Sequence, residues 1–309
     1  MSIESPYASQ LAGIPVRENT VSVLGSSSRY WEYGAAVAGA PTVVMVHGFR
    51  GDHHGLEPVV AQLPGVHIIS PDLPGFGEST PLGAGSGFSH DLDGYAAWLR
   101  GFVAALELAG PVVILGHSFG SIVSSAALAG GLAADAVILV NPIAAPALAG
   151  PRGIMTRLAV FYYWAAAKLP EKLGFALLRS RLIVRVMSVT MAKTKDPTLK
   201  RWIHEEHDRY FSAFSNREVV LDAFRASVSN DVSEFAASIT PRTLLIAADR
   251  DDITPIAAQH TLQALFPQAT LYVIHGVGHL IHYEKPVEAA AQIRGLLATL
   301  PSSNETAGA

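Results

Sequence analysis

The sequence predicts an α/β protein: a mixed, mostly parallel sheet flanked by helices and interrupted by an all-helical insertion. Six apolar runs, at residues 42–46, 67–70, 112–115, 136–140, 243–247 and 270–274, have the unbroken hydrophobicity of strands covered on both faces. Stretches of helical periodicity separate them, the pattern of a layered α/β core. The alternation stops after Asn141-Pro142 and resumes at Pro241, leaving about ninety residues patterned as helix and none as buried strand.

In chain order, residues 21–24 and 29–33, joined by Gly25 and three serines, read as an antiparallel hairpin on one sheet edge. Residues 89–108 place Leu92, Tyr95, Leu99, Phe102, Val103 and Leu106 on one helical face, with Ser89 as cap and Asp91 and Asp93 in the first turn. A further helix is expected at 121–128. In the insertion, helical stretches are expected at 154–168, 173–191 and 198–214, bounded by Pro142, Pro146 and Pro151 before and Pro241 after. The expected organisation is a core in two parts, 1–145 and 236–300, an insertion at 146–235, and a frayed tail at 301–309.

Composition narrows the chemistry. Half of the 309 residues are hydrophobic, ample for a large core. The absence of cysteine excludes disulfides, thiol catalysis and cysteine-ligated metal, and no metal-ligand spacing or internal repeat stands out. Residues 1–20 lack a basic stretch followed by an apolar run, so the expectation is a cytoplasmic protein. Residues 154–167 contain Arg157 and run into Lys168, too short and too charged to span a bilayer. The net charge of −4 is unevenly spread: residues 151–201 carry eleven Lys or Arg against two acids. That excess motivates the expectation that the insertion makes peripheral contact with an anionic membrane. Nucleic-acid binding has no support, since the basic residues carry no recognition motif.

The strongest chemical signal is Gly116-His117-Ser118-Phe119-Gly120, set between a predicted strand and a predicted helix. A nucleophile on so sharp a turn needs small neighbours, and the helix start aims the Phe119 N–H at an oxyanion. A serine hydroxyl needs a base with a pKa near the working pH, which points to histidine. Of the twelve histidines, His279 follows the last predicted strand in a glycine-flanked loop that can reach Ser118; His275 and His282 are the alternatives. The base requires a carboxylate on its other ring nitrogen. The loop after 243–247 offers Asp249, Asp251 and Asp252, among which these arguments do not choose; Asp252 is also placed to cap the next helix.

His47-Gly48-Phe49, the run Asp72-Leu73-Pro74-Gly75-Phe76-Gly77-Glu78-Ser79, the Ser118 turn, Asp251 to Pro255, and Gly278-His279 with Glu284-Lys285-Pro286 resemble, in order and spacing, serine hydrolases of the α/β-hydrolase superfamily. The likeness runs from about Val43 to the end of the last helix, outside the insertion. It implies that the fold is an α/β-hydrolase fold with a helical lid. It also implies that Asp251, four residues before Pro255 and 28 before His279, is the acid, and that the Phe49 and Phe119 amides form the oxyanion hole. Asn141 stands where some relatives keep their acid.

The resemblance further implies carboxylesterase- or lipase-like cleavage of a small-molecule ester through an acyl-enzyme, with no cofactor and no metal. Serine at 118 argues against the haloalkane dehalogenase and epoxide hydrolase branches, and the scarcity of acids over 151–201 argues against peptidases. Carbon–carbon bond hydrolases remain an alternative, weakened by His117, Phe119 and Leu280, as does a ligand-binding homologue without turnover. The expected substrate pocket comprises His47, Gly48, Ile253 and Leu280 from the core and Phe161, Trp164, Leu182 and Val186 from the insertion.

Overall fold

The computed structural model describes residues 3–145 and 153–301, without the side chains of 153–156; the expected tail beyond 301 and the start of the insertion at 146–152 lie outside the described residues. Eight strands form one sheet: β1 (Val16–Val23), β2 (Ser26–Tyr33), β3 (Thr42–Val46), β4 (His67–Pro71), β5 (Val112–His117), β6 (Ala136–Val140), β7 (Arg242–Ala248) and β8 (Ala269–Ile274). Their spatial order is β1-β2-β4-β3-β5-β6-β7-β8. The pairs β1–β2 and β2–β4 are antiparallel and the rest parallel. The hairpin is longer than its sequence signal because the pairing recruits polar Arg17, Glu18 and Asn19, whose side chains give no strand periodicity. Charge on that outer strand blunts a sheet edge that would otherwise invite pairing with another chain.

The helices are α1 (Ala8–Leu11), α2 (Glu57–Val60), α3 (Leu92–Ala105), α4 (Phe119–Ala129), α5 (Gly153–Lys168), α6 (Glu171–Leu178), α7 (Arg181–Met191), α8 (Pro197–Tyr210), α9 (Arg217–Ser229), α10 (Ile256–Gln263), α11 (Ile281–Glu284) and α12 (Pro286–Leu297). Side chains alternate across the sheet, so neighbouring strand residues enter opposite cores. Val44, Val46, Ile114 and Val137 pack with Tyr95, Trp98, Leu99 and Phe102 of α3 and Ile122 of α4. Val43, Met45, Val113 and Ile138 pack on the other face with Val59 and Val60 of α2 and Ile293 of α12. Apolar contact on both faces is why these strands read as continuous hydrophobic runs.

Three helix boundaries differ from expectation. The helix expected over 89–108 starts at Leu92 because Asp91, not Ser89, caps it: its carboxylate accepts the Gly94 N–H at 2.9 Å. Ser89 lies outside the helix, with its carbonyl oxygen so close to Gly94 that a Cβ there would lie 1.9 Å away. The stretch 173–191 divides into α6 and α7 around an extended Ser180. The stretch 198–214 ends at Tyr210, and α9, not singled out from sequence, begins after Asn216 accepts the Val219 N–H at 2.9 Å.

Arg50, in the loop after β3, explains two of these ends. It is 1% exposed, and its guanidinium donates to the Leu178 carbonyl (2.6 Å), the Phe211 carbonyl (2.9 Å) and the Tyr163 hydroxyl (3.1 Å). The terminal carbonyls of α6 and α8, which lack intrahelical donors, are thereby satisfied by one cation reaching from the core. The insertion is thus tied to the loop that carries Phe49. Arg50→Met should lower stability by about 3 kcal/mol in urea unfolding, because it strands buried acceptors; an unchanged midpoint would show that water satisfies them equally well.

Candidate active site

The turn from β5 into α4 is defined by how closely three backbone segments approach. A Cβ on Gly116 would lie 2.5 Å from the Gly120 carbonyl oxygen, and one on Gly120 would lie 2.2 Å from the Val46 carbonyl oxygen. Glycine at both positions lets β3, β5 and α4 meet. Ser118 between them takes φ 53° and ψ −119°, a conformation that costs an L-residue about 1–3 kcal/mol. Its N–H donates to the Val140 carbonyl (3.1 Å) and its own carbonyl accepts the Ser121 N–H (2.8 Å), which holds the strain in place.

His279 Nε2 lies 2.8 Å from Ser118 Oγ, and its Nδ1 lies 2.8 Å from Asp251 Oδ2. With Nδ1–H donating to the carboxylate, Nε2 is left to accept the serine proton. Burial alone would raise the Asp251 carboxyl, but the His279 imidazole and the Ile253 and Thr254 amides hold it below the usual carboxylate range. Asn141 donates through Nδ2 to the His279 carbonyl at 2.6 Å, so this position anchors the histidine loop. The alternatives go elsewhere: Asp249 pairs with exposed His275 and Asp252 with Lys193, while α10 starts without a side-chain cap. His282 is buried against His117, their ring centroids 4.1 Å apart.

After β3 the chain turns through His47, Gly48 and Phe49. His47 accepts the Leu73 N–H at Nε2 (2.8 Å), and its Nδ1–H donates to the Gly48 carbonyl (2.8 Å). Asp72 secures the neighbouring loop, accepting the His53 and Glu78 amides at 2.8 Å and His53 Nδ1 at 2.9 Å. Among the described residues no backbone carbonyl takes the Phe49 or Phe119 N–H. Asp52, His53 and His54 bring possible metal-ligating atoms within 4.8 Å of one another, a grouping not noticed from sequence. His53 Nδ1 is bonded to Asp72 and His54 Nδ1 to Asp52, contacts that hold the loop.

A cavity of about 150 Å³ opens onto Ser118 and His279 and is also lined by His47, Gly48, Ile253 and Leu280. Phe161, Trp164, Leu182 and Val186 do not; they are 62%, 53%, 72% and 52% exposed. The reason is helix rotation: α5 turns Tyr163 and Ala166 inward, and α7 turns Val184 and Ser188 inward. The insertion instead supplies Met187 and Met191 from α7, Glu206, His207 and Tyr210 from its neighbour α8, and Phe211 just after α8. Leu182, Ile183, Val186 and Met187 read from sequence as one apolar stripe at helical spacing, but the structure exposes Leu182 and Val186 and turns Met187 to the cavity. The count of acids over 151–201 stopped short of Glu206, whose carboxyl burial pushes up despite Arg209 beside it.

Burial disfavours the charged form of the His117, His207 and His282 imidazoles. Burial, reinforced by the nearby His279, pushes His117 down to about 3; burial likewise pushes His207 down to about 3 and His282 well below its ordinary value. Ser188 Oγ joins His204 Nδ1 (2.6 Å) and His207 Nδ1 (2.7 Å), clamping α7 to α8 behind the cavity.

Residues 43–293 match the profile of the alpha/beta hydrolase family. Lipase 1 of Psychrobacter immobilis is 25% identical over 274 residues, covering 86% of this chain and 79% of that one. Lipase 3 of Moraxella sp. (strain TA144) is 24% identical over 252 residues, covering 79% and 73%. Among solved structures, the esterase EaEST from Exiguobacterium antarcticum superposes with a TM-score of 0.72 at 16% identity, covering 92% of this chain and all of that one.

The neutral histidines carry a stability prediction. An unfolded imidazole titrates near about 6.5, so between about 3 and 6.5 the unfolded chain binds more protons than the folded one. Stability is therefore full above that range and lost as pH falls through it. At pH 5 His117 and His207 should each cost about 2 kcal/mol relative to neutral pH. Urea unfolding at both pH values reads this out, and equal midpoints would mean that these rings are protonated in the folded protein.

Proposed function

The chain belongs to the α/β hydrolase family, and from that premise we propose that it is a serine hydrolase of carboxylic esters, carboxylesterase- or lipase-like. The observation that carries this reading is the continuous hydrogen-bonded row from Ser118 through His279 to Asp251, opening on a cavity beside two unengaged amides. The lipase and esterase relatives support ester cleavage as the reaction.

In the proposed reaction His279 Nε2 takes the Ser118 proton as Oγ attacks the ester carbonyl carbon. The carbonyl oxygen becomes an oxyanion held by the Phe49 and Phe119 N–H groups, which gain strength where charge develops. Imidazolium, stabilised by Asp251, returns the proton to the departing alcohol and leaves an acyl-serine. Water, deprotonated by His279, then releases the acid and restores the hydroxyl. Asn141 acts through the backbone that presents His279.

A cavity of about 150 Å³ admits a benzene-sized group and is well below the roughly 300–1,000 Å³ of sites for drug-sized ligands. The favoured acyl group is therefore short and apolar, seated against Met187, Met191 and Leu280.

A fluorophosphonate probe should label the wild type and fail to label Ser118→Ala; equal labelling of both would remove Ser118 from the mechanism. Asp251→Asn should retain the fold and lose about 10⁴-fold in kcat on a p-nitrophenyl ester, through the wrong imidazole tautomer. Across p-nitrophenyl esters of increasing acyl length, kcat/KM should peak at short chains, whereas a long-chain optimum would contradict the reading of the cavity.

A further inference from the structure

The side chains that turn away from the cavity leave large apolar groups exposed on α5 and α7. Of the fifteen large apolar side chains exposed among the described residues, eight fall between residues 158 and 189. Scattered exposed apolar residues are ordinary on a protein surface, but such a concentration marks a contact face. On α5, Leu158, Phe161 and Trp164 share one side of the helix with Arg157 and Lys168, opposite buried Tyr163 and Ala166. Phe161 and Trp164 stack there with ring centroids 5.7 Å apart. On α7, Leu182, Val186 and Val189 share a side with Arg181 and Arg185.

The charge on these helices is one-sided. Residues 153–191 hold six Lys or Arg and a single acid, Glu171. Of the six, Arg185 is paired with a carboxylate, Asp208, while Arg157, Lys168, Lys172, Arg179 and Arg181 are exposed and form no ion pair among the described residues. A second copy docked face to face would set these cations against one another, an arrangement that like-charge repulsion opposes. An anionic lipid surface answers both features, taking the apolar and aromatic side chains at the headgroup boundary and neutralising the cations. No helix among the described residues is long and apolar enough to cross a membrane.

We propose that the outer face of α5, α6 and α7 docks on the surface of an anionic phospholipid bilayer, the protein lying on the membrane without spanning it.

Flotation of the full chain with vesicles tests this without relying on turnover. Vesicles of phosphatidylcholine with an equal share of phosphatidylglycerol should bind at least about tenfold more protein than phosphatidylcholine alone, with the difference shrinking as salt rises. Phe161→Asp combined with Trp164→Asp should cut binding to the anionic vesicles about tenfold, while circular dichroism and the urea midpoint stay at wild-type values. Arg157→Glu with Lys168→Glu and Lys172→Glu should abolish the preference for anionic lipid. Equal or negligible binding to both vesicle types overturns the proposal, as does undiminished binding by folded variants. A dimer that dissociates in the Phe161/Trp164 variant would assign the face to a second copy instead.

Discussion

The carbonyl oxygen of Val46, at the end of β3, comes so near Gly120 that no side chain fits between them, and the site is built outward from that contact. It places the C-terminal ends of β3 and β5 side by side, with Phe49 leaving one and Ser118 the other. The parallel register does the rest: β6 and β7 continue the row, so the loops carrying Asn141 and Asp251 emerge on the same rim. His279, beyond β8, is delivered by a loop whose carbonyl is held by Asn141. Crossover connections in a parallel sheet gather such loops at one end, where residues distant in sequence become neighbours.

The helical insertion is attached to this rim by a buried cation. Arg50 belongs to the core by sequence, yet its hydrogen bonds go to α5, the end of α6 and the residue after α8. A guanidinium removed from water is tolerable because each of its three nitrogens donates to an oxygen and the Phe214 ring lies 5.2 Å from its centre. The same residue therefore ties the loop that carries Phe49 to α5, to the end of α6 and to Phe211 just after α8.

Electrostatics around the cavity separate one histidine from its neighbours. His117, His207 and His282 are driven neutral by burial, with no carboxylate against their rings. His279 alone among these has one, Asp251 at 2.8 Å, and the serine hydroxyl on its far side.

The sequence by itself determined the strands, the turn and the order of the loops, because these rest on local chemistry: unbroken apolar runs, glycines flanking Ser118, and a histidine and an acid each just beyond a strand. It also determined that the insertion was helical and basic. Tertiary structure decided whatever depended on rotation or on contacts across the chain. It chose Asp251 over Asp249 and Asp252 by which carboxylate faced His279, and broke one apolar stretch into α6 and α7 where Arg50 took a carbonyl. It also turned Phe161, Trp164, Leu182 and Val186 to the outside and Met187, Glu206 and His207 to the cavity. A helix with apolar residues on two sides is ambiguous to periodicity, and only the helices packed against it settle which side is buried.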